Sequence, residues 1–243
     1  MKLDNKWIVG FVDGDGCFKV IKTKQGNRYC FVVSQDKRSI DVLYALKEKF
    51  GCGFVNRAGG NMFEYRVANQ EHLKNIILPF FEKNPLHTSK IQDFKILYEA
   101  LMGVQPNVTL QPICRDWLIG FIDAEANFYV SMVKNYPRPQ FSIGLHQKDA
   151  QVLNDIQSFI KCGVVYIKRP RTSKAYSTYQ ISSAPAFESI IKTCTTKTNR
   201  CLLKTTKRIS FLKFRKIVSI IQQRKHTTPE GIDMINKIRD SIR

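Results

Sequence analysis

One apolar stretch that ends in acidic residues occurs twice in this chain, 110 positions apart. The first copy, residues 7–16, reads WIVGFVDGDG, and the second, residues 117–126, reads WLIGFIDAEA. Both copies carry small residues four positions apart, so two such helices could pack with their backbones close together. A repeat of this length constrains the whole fold, because it predicts two domains built on the same plan.

Each copy places a carboxylate at the carboxyl end of its predicted helix. The helix dipole is negative there, so Asp15 and Glu125 are poorly placed unless a cation lies near them. Together with the adjacent carbonyls of Gly14 and Ala124, the two acids supply the hard oxygen ligands that Mg²⁺ prefers. The alternative is that both acids only cap a turn or form an ion pair, but that role does not require an acid at the same position of both copies.

Charge is the strongest feature of the composition. The chain has 39 Lys and Arg against 20 Asp and Glu, a net charge of +19. This excess predicts a polyanionic partner, and nucleic acid is favoured over a membrane surface because no basic amphipathic helix dominates. Residues 1–103 carry a net +5 and residues 104–243 a net +14, so the second half should supply more of the phosphate attraction. A ribosome-associated or simply well-solvated basic protein remains an alternative.

Several classes of protein are disfavoured by the sequence. No apolar run reaches the roughly 18 residues of a membrane span, and residues 1–5 do not begin a hydrophobic signal region. Seven cysteines without a CxxC pair indicate neither a disulfide framework nor a zinc site. We therefore expect a soluble, non-secreted protein in a reducing intracellular compartment.

The two halves show the same order of predicted elements. After the first motif helix come a hairpin at residues 18–33, a helix at 40–50, a second hairpin at 54–67, and helices at 70–83 and about 88–102. The predicted fold class is α+β, with two pseudo-symmetric αββαββα domains. Each domain has a four-stranded antiparallel sheet with helices on one face.

Domain boundaries follow from the repeat and from a stretch without helical period. The first domain is predicted at residues 1–103 and the second at residues 113–243, joined by a linker at residues 104–112 that contains two prolines. A C-terminal helix from about residue 229 has no counterpart in the first half and is expected to serve packing.

The paired stretches resemble the two motifs of single-chain LAGLIDADG homing endonucleases, with the nine motif positions at residues 8–16 and 118–126. Later segments recur as well, so the resemblance covers almost the whole chain. It implies a monomer whose domains join at the motif helices and form a saddle-shaped surface for double-stranded DNA. It also implies hydrolysis of one phosphodiester on each strand of a long asymmetric target. A mitochondrion or chloroplast is the compartment that the resemblance implies for a eukaryotic source.

The resemblance assigns the metal to the two acids. Asp15 and Glu125 match the eighth motif position, which carries the metal-binding acid in the family. We expect Mg²⁺, with Mn²⁺ as a substitute and Ca²⁺ binding without supporting cleavage. Asp13 and Asp123, two positions earlier, are expected to orient or cap the motif helices.

Two further pairs of residues are implied to serve the same chemistry. Gln35 and Gln147 end strands that the sequence matches to each other, and each would help to order the hydrolytic water. Lys90 and Lys207, both in an L-x-T-[ST]-K pattern, would neutralise the scissile phosphate. Ordinary solvated side chains are the alternative reading for all four.

DNA recognition should fall to the open faces of the sheets, because strand alternation directs every second side chain towards a bound major groove. The candidates in the first domain are Lys19, Arg28, Asn56 and Arg66. Those in the second domain are Tyr129, Ser131, Gln140, Lys168, Arg169 and Gln180. The two sets differ, so the expected target is asymmetric.

Two other functions fit the same scaffold. Some members of the resembled family are maturases that help their own intron RNA to fold, and a DNA-binding protein that does not cleave would also need this surface. The intact acids in both motifs favour the nuclease over a pure maturase, which has no chemical need for them, whereas a non-cleaving protein would bind a duplex in EDTA and never cut it with Mg²⁺.

Overall fold

A computed structural model describes residues 1–134, 136–168 and 175–241, without the side chain of Lys168. The first repeat contains α1 (Asn5–Asp15), β1 (Gly16–Thr23), β2 (Gly26–Asp36), α2 (Ile40–Phe50), β3 (Phe54–Gly59), β4 (Met62–Val67), α3 (Gln70–His72), α4 (Leu78–Lys83) and α5 (Lys90–Met102). A π-helical turn, Leu73–Ile77, makes α3 and α4 continuous, in agreement with the single helix predicted at residues 70–83.

The second repeat retraces this order. It contains α6 (Arg115–Glu125), β5 (Ala126–Val133), β6 (Tyr136–His146), α7 (Ala150–Ile160), β7 (Val164–Lys168), β8 (Tyr176–Ile181), α8 (Ala184–Thr193), α9 (Lys207–Gln222) and α10 (Pro229–Asp240). Its last helix, α10, matches the C-terminal helix predicted from about residue 229.

Both sheets are four-stranded and antiparallel, with strand orders β1-β2-β4-β3 and β5-β6-β8-β7. Their registers are equivalent, because Gly16 pairs with Val33 in the first sheet and Ala126 pairs with Ile143 in the second. The predicted α+β fold class and the predicted duplication are confirmed.

By packing, the chain divides into compact units at residues 1–124 and 125–243. Nearly all of α6 belongs to the first unit, because α6 packs against α1. The backbone carbonyl of Trp117 lies beside Gly10 and that of Trp7 lies beside Gly120. This division follows packing, whereas the predicted domain boundaries follow the sequence repeat.

Aromatic side chains join each sheet to its helices. In the first unit the ring of Phe18 lies 5.1 Å from that of Phe81 and 5.5 Å from that of Phe94. In the second unit the ring of Phe128 lies 5.3 Å from that of Phe211 and 5.5 Å from that of Phe214. Helices therefore cover one face of each sheet, and the alternate residues of the strands form the other, open face.

The open face of the first sheet is less exposed than the alternation predicts. Cys30 and Val32 lie on it but are only 3% and 4% exposed. Each stands directly across from a long cationic side chain, Lys19 for Cys30 and Arg66 for Val32, and a stem of that length can cover a smaller neighbour. Burial also raises the pKa of the Cys30 thiol, and the charges of Arg66 and Lys19 oppose that rise.

Within the described ranges, no helix combines the length and apolar character that a membrane crossing requires.

Candidate active site and DNA interface

The end of α1 brings together three of the predicted catalytic residues. Asp15 is the last residue of the helix, and its Oδ2 accepts a hydrogen bond of 2.5 Å from Nε2 of Gln35, near the end of β2. Lys90, the first residue of α5, donates from Nζ to the carbonyl of Gly14 and, at 3.4 Å, to that of Val12. The ammonium group thus supplies the positive charge that the carboxyl end of a helix favours.

The contacts of Lys90 change which atoms at the end of α1 are suited to bind a metal. The Gly14 carbonyl, predicted to bind a metal, is taken by Lys90 in this structure. The Asp15 carboxylate is anionic and has about four lone-pair sites, more than a neutral carbonyl offers. It is therefore the better oxygen ligand at this end of α1.

The second repeat has the same framework with different contacts. Glu125 ends α6 as Asp15 ends α1, and Lys207 begins α9 as Lys90 begins α5. Nζ of Lys207 donates to the carbonyl of Ala126, one residue beyond the acid, whereas Lys90 reaches the carbonyl one residue before it. The two helix ends are therefore related but not equivalent.

The predicted match between Gln147 and Gln35 is wrong by two residues. Strand register aligns Val33 with Ile143, so the position that corresponds to Gln35 is Leu145. Leu145 is apolar and only 8% exposed. Gln147 begins a 3₁₀ turn after β6, its side chain is exposed, and its backbone N–H donates to the carbonyl of Ala175.

The first acid of each motif is buried, as expected of a structural residue. Asp13 accepts hydrogen bonds from the backbone N–H groups of His87 and Thr88, from the Thr88 hydroxyl at 2.7 Å and from the Trp117 indole at 2.8 Å. Burial raises the pKa of the Asp13 carboxyl, and these hydrogen bonds oppose the rise. This acid fixes the segment that leads to Lys90, two residues after Thr88.

Two tryptophans were missed as partners of these acids. The Trp7 indole donates to Asp123 at 3.2 Å, which mirrors the contact from Trp117 to Asp13. Each tryptophan stands six positions before the first acid of its own motif, a repeated spacing that marks the tryptophans but not their partners in the other motif. These two hydrogen bonds, each from the indole of one motif helix to the acid of the other, tie α1 to α6.

The predicted DNA-binding residues lie on the open faces of the two sheets. Those in described strands are Lys19 on β1, Arg28 on β2, Asn56 on β3, Arg66 on β4, Tyr129 and Ser131 on β5, Gln140 on β6 and Gln180 on β8. Lys168 ends β7, opposite Tyr176 on β8. Arg169 lies outside the described residues.

Two of these side chains are held by neighbours on the same face. Nε of Arg66 donates to Glu64 at 2.8 Å, and the Glu64 side chain is only 13% exposed. In the second sheet the Tyr166 hydroxyl lies 2.7 Å from Oε1 of Gln180. Arg66 and Gln180 occupy equivalent positions, because Val32 pairs with Arg66 and Ser142 pairs with Gln180. Glu64 is two positions from Arg66 on the same strand, whereas only strand pairing reveals Tyr166 as a neighbour of Gln180.

The oxygen atoms at the ends of the two motif helices suit a hard divalent cation better than a transition metal. Within the described residues there is no cluster of three or more His, Cys, Asp and Glu that could enclose a metal. A single carboxylate at each motif end would leave most coordination positions to water and phosphate oxygens, which is the pattern of Mg²⁺ and not of structural zinc.

Comparison with known proteins identifies the architecture. A family model described as LAGLIDADG endonuclease matches residues 8–101 and again residues 118–218. The probable intron-encoded endonuclease Cox1-I1b of Schizosaccharomyces pombe is 31% identical over 158 residues, which cover 51% of this chain and 41% of that protein. The probable intron-encoded endonuclease 4 of Neurospora crassa is 26% identical over 97% of this chain and 44% of its own length. The chain thus spans less than half the length of both relatives.

Solved structures share the fold along the entire chain. I-SmaMI bound to uncleaved DNA target in the presence of calcium ions superposes with a TM-score of 0.81 at 23% identity, covering 98% of both chains. The I-SmaMI LAGLIDADG homing endonuclease bound to cleaved DNA gives a TM-score of 0.82 at 23% identity, covering 100% of this chain and 97% of that one.

Proposed function

The chain belongs to the LAGLIDADG endonuclease family, and on that premise we propose that it is a site-specific endonuclease that cuts both strands of a long asymmetric DNA duplex. One observation carries the proposal: both repeats place a carboxylate at the end of the motif helix, start a sheet strand at the next residue, and bring a lysine to the same helix end. An acid and a cation at the edge of a polar sheet face are suited to cleaving a phosphodiester bound there. The proposed enzyme is a monomer with functional halves at residues 1–103 and 113–243, joined by residues 104–112.

A divalent cation, with Mg²⁺ as the physiological ion, is part of this proposal. The acid of each motif, Asp15 in the first repeat and Glu125 in the second, would serve as a ligand, with the Ala124 carbonyl as a further oxygen ligand in the second repeat. Bound there, the ion would lower the pKa of a water molecule and stabilise charge on the scissile phosphate. Mn²⁺ should replace it, whereas Ca²⁺ should bind without supporting cleavage.

The protein's own side chains have separable roles in this scheme. Gln35 orients the Asp15 carboxylate through the hydrogen bond of 2.5 Å. Lys90 and Lys207 hold positive charge at the ends of the motif helices, close to where the phosphate must lie. The second repeat has Leu145 in place of the glutamine, and we assign Gln147 no orienting role.

The open sheet faces would read the DNA. Arg66 is the best-positioned candidate, because the Glu64 carboxylate accepts a hydrogen bond from its Nε, and this contact uses neither of the two terminal nitrogens. A fixed guanidinium fork matches the O6 and N7 acceptors of guanine. Gln180, held by Tyr166, occupies the equivalent position in the second sheet.

Replacing Arg66 with alanine should relax recognition at one base pair of the target. Loss of a bidentate contact to guanine should cost about 1–3 kcal/mol at that position and little elsewhere. Glu64→Gln should weaken the same preference less, because the amide still accepts a hydrogen bond from Arg66. The measurement is relative cleavage of duplexes substituted at each target position.

Lys24→Ala is the matched control, since Lys24 is an exposed cation in the turn between β1 and β2. It should lower affinity for all duplexes alike. If Arg66→Ala behaves in the same way, Arg66 contributes only charge.

The proposed activity is tested by incubating the protein with a duplex library in Mg²⁺, Mn²⁺, Ca²⁺ or EDTA. Cleavage of both strands at one site in Mg²⁺ and Mn²⁺, and at none in Ca²⁺ or EDTA, is expected. Binding in EDTA with no cleavage in Mg²⁺ would instead identify a non-cleaving DNA-binding protein. Splicing of a host intron that survives loss of both acids would identify a maturase. We also propose an organelle as the location of the protein, which the family resemblance supports.

A further inference from the structure

The open faces of the two sheets carry different chemical groups at equivalent positions. Strand pairing places Tyr129 on β5 where the first sheet has Lys19, and Gln180 on β8 where the first sheet has Arg66. Both exchanges replace a cation with a neutral side chain. The first face thus has three cations, Lys19, Arg28 and Arg66, whereas the described side chains of the second face include one lysine or arginine, Arg138.

Tyrosines are the commonest large side chains on the second face. Four of them lie on it, Tyr129, Tyr136, Tyr166 and Tyr176, whereas the strands of the first sheet, all of which are described, place none on theirs. Tyr129, Tyr136 and Tyr176 are 51%, 54% and 49% exposed. Tyr166 donates its hydroxyl to Gln180 at 2.7 Å. Exposed phenol rings have a large apolar surface, which favours a partner with apolar groups of its own.

The base edges of a DNA major groove contain one apolar group, the 5-methyl group of thymine, and apolar and aromatic side chains pack against it. Glutamine amides pair with N6 and N7 of adenine, whereas arginine and lysine pair with O6 and N7 of guanine. The second face combines the tyrosines with two glutamines, since Gln140 stands directly across from Tyr129 and Gln180 is held by Tyr166. Its side chains therefore match A·T pairs, and the cations of the first face match guanine.

One apolar contact is common to both faces. Phe54 on β3 and Val164 on β7 occupy equivalent positions, opposite Arg66 and Gln180, and both are exposed. The exchange of Lys19 for Tyr129 and of Arg66 for Gln180 is what distinguishes the faces. The net charge of +14 on residues 104–243 lies largely outside the second face, where it can attract phosphates without reading bases.

We propose that the second sheet reads an A·T-rich half-site, chiefly through the 5-methyl groups of thymine, and that the first sheet reads a half-site that contains guanine. This inference rests on the proposed binding of a DNA duplex and adds the base composition of the two halves. The asymmetry of the target is then one of recognition chemistry as well as of sequence.

The first test selects the target from a random duplex library by binding to the full chain in EDTA, so that it does not depend on cleavage. Repeating the selection with Arg66→Ala and with Gln180→Ala assigns the halves, because each variant should relax only positions read by its own sheet. The half relaxed by Gln180→Ala should be A·T-rich, and the half relaxed by Arg66→Ala should contain guanine. If no duplex is enriched, the proposed function fails as well. If the halves have the same composition, only this inference is overturned.

The second test removes single groups from the selected duplex. Deoxyuridine in place of thymine removes only the methyl group, and each lost contact in the second half-site should weaken binding about threefold to fourfold. In the first half-site the same change should matter only at the position within reach of Phe54. Replacing guanine there with 7-deazaguanine removes the N7 acceptor and should weaken binding. Equal affinity for the thymine and deoxyuridine duplexes contradicts the proposal.

Variants of Tyr129 show which part of its side chain makes the contact. Tyr129→Ala should bind the thymine duplex more weakly and should lose the penalty for deoxyuridine at the contacted position. Tyr129→Phe keeps the ring and should keep the preference for the methyl group. Tyr44→Ala is the matched control, since Tyr44 is also 51% exposed but lies on α2. If Tyr129→Phe loses as much affinity as Tyr129→Ala, the hydroxyl makes the contact and the methyl reading is overturned.

Discussion

Replacing Asp15 with asparagine should abolish cleavage of one DNA strand and leave duplex binding nearly unchanged. The amide cannot supply the anionic oxygen that a divalent cation requires, and it is close enough in shape to keep the contact with Gln35. Loss of several kcal/mol of transition-state stabilisation corresponds to a rate decrease of about 10³-fold or more. The measurement is single-turnover nicking with each strand labelled separately.

Glu125→Gln should produce the same loss on the other strand, and the double variant should bind without cutting. The two strands of the unmodified duplex should also be nicked at unequal rates, because Gln35 orients Asp15 while Leu145 occupies the matching place in the second repeat. Asp116→Asn is the control, since Asp116 is an exposed acid in the first turn of α6. If both carboxamide variants still cut both strands, these acids do not hold the metal.

Local patterns in the sequence predict the elements of the fold correctly. Alternation of period two marks the hairpins, and Gly51, with φ of +65°, ends α2 where the sequence predicts a break. Such patterns depend on neighbours along the chain. The contacts of Asp13 with His87 and of Trp117 with Asp13 join residues 74 and 104 positions apart, and no local pattern specifies such partners.

The misplacement of Gln147 has a different cause. Matching by residue type aligned one glutamine with another, although Leu145 follows Glu125 by the same 20 positions that separate Gln35 from Asp15. Counting from the motif acid would have found the correct position, because the two hairpins have equal length. Glu64 shows what the sequence leaves undetermined even when the position is known. Its place near Arg66 follows from the sequence, but the hydrogen bond that holds Arg66 does not.

Substituting alanine for Gly10 or Gly120 should destabilise the first compact unit more than any surface change. A Cβ at Gly10 would stand 1.9 Å from the Trp117 carbonyl oxygen, and one at Gly120 would stand 2.0 Å from that of Trp7. Both obstacles are backbone atoms, so α1 and α6 must separate. That separation strains the indole contacts to Asp13 and Asp123.

Two opposing effects decide the size of this change. Alanine in place of glycine favours a helix by about 1 kcal/mol, but overpacking against backbone should cost about 3 kcal/mol or more. The clash therefore wins, and the melting temperature of either variant should fall by roughly 5–10 °C. Gly144→Ala on β6 is the control, because its Cβ would meet nothing nearer than the Thr178 hydroxyl at 3.9 Å. Equal melting temperatures for Gly10→Ala and Gly144→Ala would show that α1 and α6 do not need this close approach.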